Sequence, residues 1–367
     1  MSSAAITLEV LPAAFGDCLL ISCPVGRRVW RMLVDTGPDE TYPSLRARLL
    51  QIPKDANGRR SIDLFVITHI DHDHIGAASL LLNDRALGLN FGDIWFNAPP
   101  RPLARGVAEG EGLAELLGAQ ESALPWNAAW SGQPVSTPAD GGGVELRGRG
   151  LPTLTLLSPT PKRLDDLYRV WAKELARLRR KERPAAEPEP AARRGIAPTL
   201  EALAAQVTPT DSSVPNGSSI AFLVEHRGAS LLLAADAFPT VLVPALKALA
   251  HRRRLSRRLK VDALKLSHHG SRANVTQDLL DAVEAKHYIV STNNAYFNHP
   301  NDEAMARVIL RGGAPTVWFN YDTPKNRHWG DEQLVARYGY AARFPDRSGQ
   351  GVTIALPRKL SRAAARD

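Results

Sequence analysis

Between Leu64 and Gly76 the chain reads LFVITHIDHDHIG. Positions 69–74 hold His69, Asp71, His72, Asp73 and His74. Imidazole nitrogens and carboxylate oxygens at this density are the donors of a divalent metal site. Buried together without a metal or close pairing, they would cost several kcal/mol per ion. A metal held there would lower the pKa of a bound water toward neutrality and polarise a carbonyl or phosphoryl oxygen. The chemistry suggested is hydrolysis.

The elements that must position this cluster can be read around it. Leu64-Phe65-Val66-Ile67 is an unbroken apolar run, the pattern of a strand buried on both faces and expected over 62–68. Gly76 and AASLLL after it open a helix, so the cluster falls on a strand-to-helix turn. Chemistry in α/β proteins sits at such strand ends. On an extended turn, His72 would point away from its neighbours, toward solvent or behind them.

Other polar residues also end apolar runs. Asp35 follows the run at 29–34, Asp236 the run at 231–235, and His268-His269 the run at 261–266. If these runs are central strands, their C-terminal ends converge. A pair of divalent ions needs about six to eight donors and a bridging carboxylate, which these clusters supply. Each residue also has a plainer reading. Asp35 before Thr-Gly is a turn former, Asp236 could cap the next helix, and His268 and His269 cannot share one role.

THIDHDHIG resembles the signature of the metallo-β-lactamase superfamily, in its His-x-Asp-x-Asp-His variant. With LLLAADA, LKLSHHGS, Asn293 and Asn298-His299-Pro300, it resembles the branch containing the metallohydrolase domain of the ComEC/Rec2 competence proteins. Phosphorylcholine esterases share a similar signature. The resemblance covers roughly residues 6–100 and 212–300. It implies an α/β (α+β) fold, an αββα sandwich of two mixed sheets with outer helices and a metal site at one edge. It implies two divalent ions, zinc first. His69 and Asp71 would hold one, Asp73 and His74 the other, Asp236 would bridge them and His269 would complete the second site. Asp73 would also position the attacking water, and Asp35 would orient the cluster from behind. Asn216, Asn293 and His299 would lie near the ligands or the substrate. Two departures stand out. Asp71 replaces the commonest His, and no third His serves the first site, whose expected region is Asn216-Gly217-Ser218-Ser219. An oxygen-rich site suits manganese as well as zinc.

The rest of the chain sets bounds. Its 367 residues suffice for one large domain, read here as a single unit with an insertion at about 101–211. Within that insertion, 151–157 reads as a strand and 162–183 as an amphipathic helix. The remainder is expected to be helical and low-complexity, with a flexible loop at 184–198 (PAAEPEPAARRGIAP). No apolar run is long enough for a membrane span, and the N-terminus lacks the charged-then-apolar order of a signal peptide. Cys18 and Cys23 cannot form a disulfide framework. A cytoplasmic protein is expected.

The formal charge of +8 and pI near 9.6 suit a polyanionic partner. In HRRRLSRRLK, Arg252, Arg253, Arg254, Arg257 and Arg258 could follow the phosphates of a nucleic acid. Such runs are more often solvated helix faces, and no aromatic platform accompanies this one. The expected activity is metal-dependent hydrolysis of a phosphodiester, as in a nuclease, with His268 stabilising developing charge or protonating the leaving group. The alternatives are hydrolysis of a small ester, lactone, thioester or phosphocholine ester, or a non-catalytic interaction module on the same fold.

Overall fold

Alternation along the central strands decides the architecture. The structure is a computed structural model describing residues 4–99, 109–118, 124–179, 198–255, 258–347 and 349–359. In chain order the strands are β1 (Ala4–Val10), β2 (Leu19–Val25), β3 (Arg28–Val34), β4 (Arg60–Ile62), β5 (Leu64–Val66), β6 (Leu89–Phe91), β7 (Ile94–Trp95) and β8 (Val144–Leu146). There follow β9 (Thr153–Ser158), β10 (Ala221–His226), β11 (Ala229–Leu233), β12 (Leu259–Lys265), β13 (Val283–Val290), β14 (Thr316–Phe319), β15 (Ala341–Arg343) and β16 (Val352–Pro357). A six-stranded sheet runs β16-β1-β2-β3-β5-β7, and an eight-stranded sheet runs β15-β14-β13-β12-β11-β10-β9-β8.

Successive side chains of a strand face opposite ways. Met32, Val34, Leu64 and Val66 of the first sheet therefore meet Leu231, Leu233, Ala263 and Ile289 of the second in one core between the sheets. Their neighbours Leu33 and Phe65 face outward under Leu45, Leu49, Leu81 and Trp171 of the helices on that side. Leu232, Leu264 and Tyr288 do the same on the other side, under Leu242, Leu246, Leu279 and Met305. Layers of helix, sheet, sheet and helix result, the αββα sandwich of two mixed sheets expected above. Each fully buried side chain of this size contributes about 1.5–3 kcal/mol. Among the described residues no helix is long and apolar enough to cross a membrane.

Both sheets are mixed, and their parallel parts do the positioning. β3, β5 and β7 run parallel, with Val34 opposite Val66 and Val66 opposite Trp95. β11, β12 and β13 also run parallel, with Leu233 opposite Lys265 and Lys265 opposite Ile289. Each group of strands therefore ends at one level, and the next residues of each strand emerge side by side.

Two expectations need correction. The run 62–68 is not one strand, because β4 pairs with β6 in a separate small sheet while β5 joins the first sheet. Asp63 stands at the break, accepting hydrogen bonds from the Arg31 backbone N–H and the Arg28 guanidinium. Described parts of the stretch read as an insertion pack with the sandwich. The strand expected at 151–157 is β9, which pairs antiparallel with β10, and β8 pairs with β9 beyond it. Leu167 and Trp171 of helix Pro161–Arg179 fill the first outer core, and Leu200 and Ala204 fill the second. Residues 184–197 of the proposed loop lie outside the described residues. Finally, Asp236 does not cap the helix Pro239–Arg252, whose N-cap is Phe238.

The loop 13–17 closes one side of the strand ends. A Cβ on Gly16 would fall 1.8 Å from the Asp73 carbonyl oxygen, so only glycine allows this approach. Asp17 N–H donates to that carbonyl at 3.2 Å, and Ser291 Oγ donates to the Gly16 carbonyl at 2.8 Å. Gly16→Ala is expected to lower stability by about 1–3 kcal/mol through overpacking and to displace Asp73. Calorimetry with elemental analysis of bound metal checks this; an unchanged unfolding temperature and metal content would contradict it.

Candidate metal centre

Backbone geometry brings the polar residues together. Asp35 N–H donates to the Val66 carbonyl at 2.8 Å, fixing the ends of β3 and β5 together. Ile220 N–H donates to the Thr68 carbonyl at 2.9 Å and links the two halves of the chain. His268 N–H donates to the Ala235 carbonyl at 2.9 Å. Asp35, Ala235, His268 and His269 all adopt left-handed backbone, with φ of 57°, 46°, 49° and 52°. Non-glycine residues take this conformation at a cost that clusters at functional sites.

The side chains then converge on Asp236. His69 Nε2 lies 3.9 Å from Asp236 Oδ2 and 3.8 Å from Asp71 Oδ2. His74 Nε2 lies 3.5 Å from Asp236 Oδ1 and 3.7 Å from Asp73 Oδ2. His269 Nε2 lies 3.2 Å from Asp73 Oδ2 and 3.9 Å from Asp236 Oδ2. His268 Nε2 reaches Asp236 Oδ2 at 3.7 Å. Two overlapping sets, His69/His74/Asp236 and Asp73/His74/His269, each have ligand atoms within 4.8 Å of one another, and all are buried. His69 Nε2, His74 Nε2 and Asp236 Oδ1 are buried without a hydrogen-bond partner. Buried polar atoms are rarely left so, and atoms of this kind facing one another fit divalent cations.

A surrounding layer fixes the ring orientations. Asp35 Oδ2 accepts from His74 Nδ1 at 2.7 Å and Thr68 Oγ1 at 2.8 Å, while Oδ1 accepts from Thr68 N–H at 2.8 Å. Holding the Nδ1 proton leaves the His74 Nε2 lone pair facing the cluster. His269 Nδ1 donates to the Ser291 carbonyl at 2.9 Å and lies 3.4 Å from Asp17 Oδ1. Asp17 in turn pairs with Lys265 at 2.7 Å, both side chains being buried. His268 Nδ1 lies 3.1 Å from Asn274 Oδ1 and 3.3 Å from Asp211 Oδ2.

Charge in the cluster follows from these contacts. Burial pushes the Asp236 pKa up, but His268, His74 and His269 overcome it and hold it well below the usual carboxylate range. Burial, with His74 beside it, pushes His69 down to about 3. Burial also works against a charged His268, yet Asp236 and Asp211 hold its pKa up at about 10.

The structure thus gathers Asp35, His69, Asp71, Asp73, His74, Asp236, His268 and His269. Asn216 is buried beside them, its Nδ2 donating to Asp211 at 2.8 Å and its Oδ1 unpartnered, an amide oxygen in the region that lacks the third His. His299 is buried with its ring 5.1 Å from that of His268. Asn293 lies in the loop against residues 13–17, where its N–H donates to the Ala14 carbonyl at 2.8 Å. Its side chain accepts from Ala295 N–H, closing its own turn. His72 is not on an extended turn: His72–Ile75 forms a helical turn, and His72 faces Asp39 at 3.4 Å and Glu40 at 3.8 Å.

The arginine run stands apart. It lies between the end of helix Pro239–Arg252 and the start of β12, whereas His268 and His269 follow the other end of that strand. At about 3.3 Å per residue that is on the order of 20 Å. Arg253 pairs with Glu225 at 2.6 Å and Arg258 with Glu284 at 2.8 Å. Arg252 ends the helix, Arg254 takes a left-handed backbone just after it, and Arg257 lies outside the described residues.

Sequence reasoning missed Asp17, Lys265, Asp211 and Asn274. A lysine inside the buried strand of LKLSHHGS was a usable signal, since a buried ammonium needs an acid. Asp211 gave none, because it borders a turn-rich segment.

The sequence profile of the metallo-beta-lactamase superfamily matches residues 30–88, the segment from β3 through the histidine-aspartate cluster. Structures similar to this chain include Igni18, a metallo hydrolase from the hyperthermophilic archaeon Ignicoccus hospitalis KIN4/I. It shares 13% identity, with 95% of this chain and 98% of that one covered and a TM-score of 0.39. Zinc-bound PqqB from Methylobacterium extorquens is also similar, at 12% identity, 95% and 100% coverage and a TM-score of 0.43. No curated protein matches the sequence.

Removing the Asp35 carboxylate should release the His74 ring and strand the Thr68 donors. Asp35→Ala is expected to weaken metal binding about 10- to 100-fold, measured by competition with a chromogenic chelator. Wild-type affinity in this variant would reduce Asp35 to a turn former.

Proposed function

We propose that the chain is a metal-dependent hydrolase using a metal-activated water, with a phosphodiester as its substrate. The observation that carries the reading is the buried, unpartnered set of donor atoms facing one another around Asp236. A retired site would not keep such an arrangement against its desolvation cost. His69, Asp71 and Asp236 would hold one cation, with Asn216 Oδ1 as a further oxygen donor, and Asp73, His74, Asp236 and His269 the other. Zinc and manganese both suit these donors. Bound there, the cations would supply an acidified water and polarise the oxygen of the scissile group.

The chain's own residues do the rest. Asp73 orients the attacking water through the carboxylate that also meets His269. His268, gripped at Nδ1 by Asn274 and Asp211, presents Nε2 beside Asp236 to donate a proton to the departing oxygen. Three features favour a phosphodiester over a carboxylic ester: a net charge of +8, an oxygen-rich donor set, and the ComEC-like motifs. A nucleic acid long enough to span the sandwich could also touch the distant arginines. A small ester, lactone or thioester is the rival substrate.

Elemental analysis of metal-replete protein is expected to find one to two divalent ions per chain; a chain carrying none would defeat the proposal. The protein should hydrolyse bis(p-nitrophenyl) phosphate or a DNA or RNA substrate with zinc or manganese, and not with chelator. Turnover confined to carboxylic esters would favour the rival substrate. Asp236→Ala should abolish turnover with the circular dichroism spectrum unchanged, whereas wild-type turnover would remove Asp236 from the machinery.

The arginine run has its own test. If the substrate is nucleic acid, reversing Arg252 and Arg254 to Glu should weaken binding across all sequences. The slope of log affinity on log salt should flatten by about 0.9 for each duplex phosphate that the variant no longer neutralises. Metal content should stay the same. An unaltered slope would take the run out of the proposal.

A further inference from the structure

One side of the site is lined by aromatic rings. The side chains of His69, His74 and His269 are 0% exposed, while that of His268 is 18% exposed, so His268 forms the open edge of the cluster. From this edge a run of rings leads through the buried His299 to the half-buried Phe297 and Tyr296. His299 meets His268 edge-on at 5.1 Å between centroids, and Phe297 stacks on His299 at 5.8 Å with 17° between planes. Phe297 also meets His268 at 6.4 Å, Tyr296 at 4.5 Å and Phe15 at 6.1 Å. Two loops from different halves of the chain, 13–17 and 293–299, build this wall, and Asn293 N–H joins them at the Ala14 carbonyl. Tyr296 and Phe297 are half-buried rather than packed away.

Resting on the phosphoryl reading above, we propose that the wall formed by Phe297 and Tyr296 binds a planar aromatic ring of the substrate, an aryl group or a nucleobase, beside the scissile phosphoryl group. Half-exposed aromatic rings hold apolar area in water at a cost that a stacked ring removes. Their edge-on mutual contacts suit ring-to-ring packing, in which the positive edge of one ring meets the negative face of another. A quaternary ammonium group suits the wall less well. The Lys325 ammonium is bonded to Asn298, in the same loop, and already places a positive charge there. The wall adjoins His268, so a ring held on it sits on the leaving-group side of the reaction.

The test separates the ring from the anion. Calorimetric titration of metal-loaded protein compares phenylphosphonate with methylphosphonate, and uridine 5′-phosphate with ribose 5-phosphate. In each pair the charged group is alike and only one member carries a ring. The ring-bearing member is expected to bind about tenfold more tightly, within the range of base–aromatic stacking. A gain for the phenyl pair alone identifies an aryl group, and a gain for both admits a nucleobase. The double variant Tyr296→Leu/Phe297→Leu keeps apolar bulk without a π-face. It should bring the ring-bearing ligand down to the affinity of its partner and leave methylphosphonate binding unchanged, and Phe297→Tyr should retain the preference. Equal affinities in the native protein, or a ring preference that survives the double variant, would overturn the proposal. Binding of neither member would overturn it together with the phosphoryl reading. A ring preference without turnover of any phosphodiester would remove only the hydrolytic reading.

Discussion

Asp236 meets four imidazoles, those of His69, His74, His268 and His269, in a space largely closed to water. Everything else in the molecule answers the cost of that arrangement. Carboxylates and imidazoles this close desolvate one another and leave lone pairs unfilled. The fold meets the cost locally, with strand ends aligned by parallel register, left-handed backbone at the turns, and a ring of hydrogen bonds behind the ligands. The hydrophobic core between the sheets supplies stability that the site itself cannot. Removing one member of such a network should therefore change its neighbours too, since coupled buried groups do not act additively.

The outer hydrogen bonds divide the work by ring. Asp35 serves His74, Thr68 serves His69, Asp211 and Asn274 serve His268, and Asp17 with Ser291 serves His269. Each imidazole is turned by partners of its own, drawn from several loops, so no single loop movement can misalign them all. The Asp17–Lys265 pair has a second effect. It joins the N-terminal loop of the first sheet to the last residue of β12 in the second. A buried charge left without its partner is costly, so the pair resists separation of the two sheets at the site.

Much of this could be read from the sequence, for a physical reason. Asp35 and Asp236 follow apolar runs directly, and a polar residue ending a buried strand is conspicuous in one dimension; His268-His269 stand out as an adjacent pair one residue past the strand at 261–266. The cluster at 69–74 is dense enough to exclude a plain turn. Asp17, Asp211 and Asn274 escaped because their roles exist only between distant segments, and each alone has an ordinary reading as turn or surface residue; Lys265 left a signal, a charge within a buried strand, but not the identity of its partner. The strand over 62–68 changes sheet at Asp63, and a single acid between apolar residues also fits the alternation of one continuous strand, so periodicity does not mark the break. β9 was legible as a strand, but its place in the second sheet was not. Pairing with β10 joins residues some seventy positions apart, and no local pattern records it. β8, at three residues, is too short to carry a period at all.

The donor atoms come from both halves of the chain. His69, Asp71, Asp73 and His74 precede Asp236 and His269 by well over a hundred residues. During synthesis the first group leaves the ribosome long before the second exists, and a growing chain has no complete set. A fragment that stops before Asp236 would offer loosely held imidazoles and carboxylates to any ion in the cell, without the shared carboxylate that binds the set together. Assembly of the centre therefore waits on docking of the second sheet. The donor set is incomplete until β11 and β12, whose ends carry Asp236 and His269, are in place.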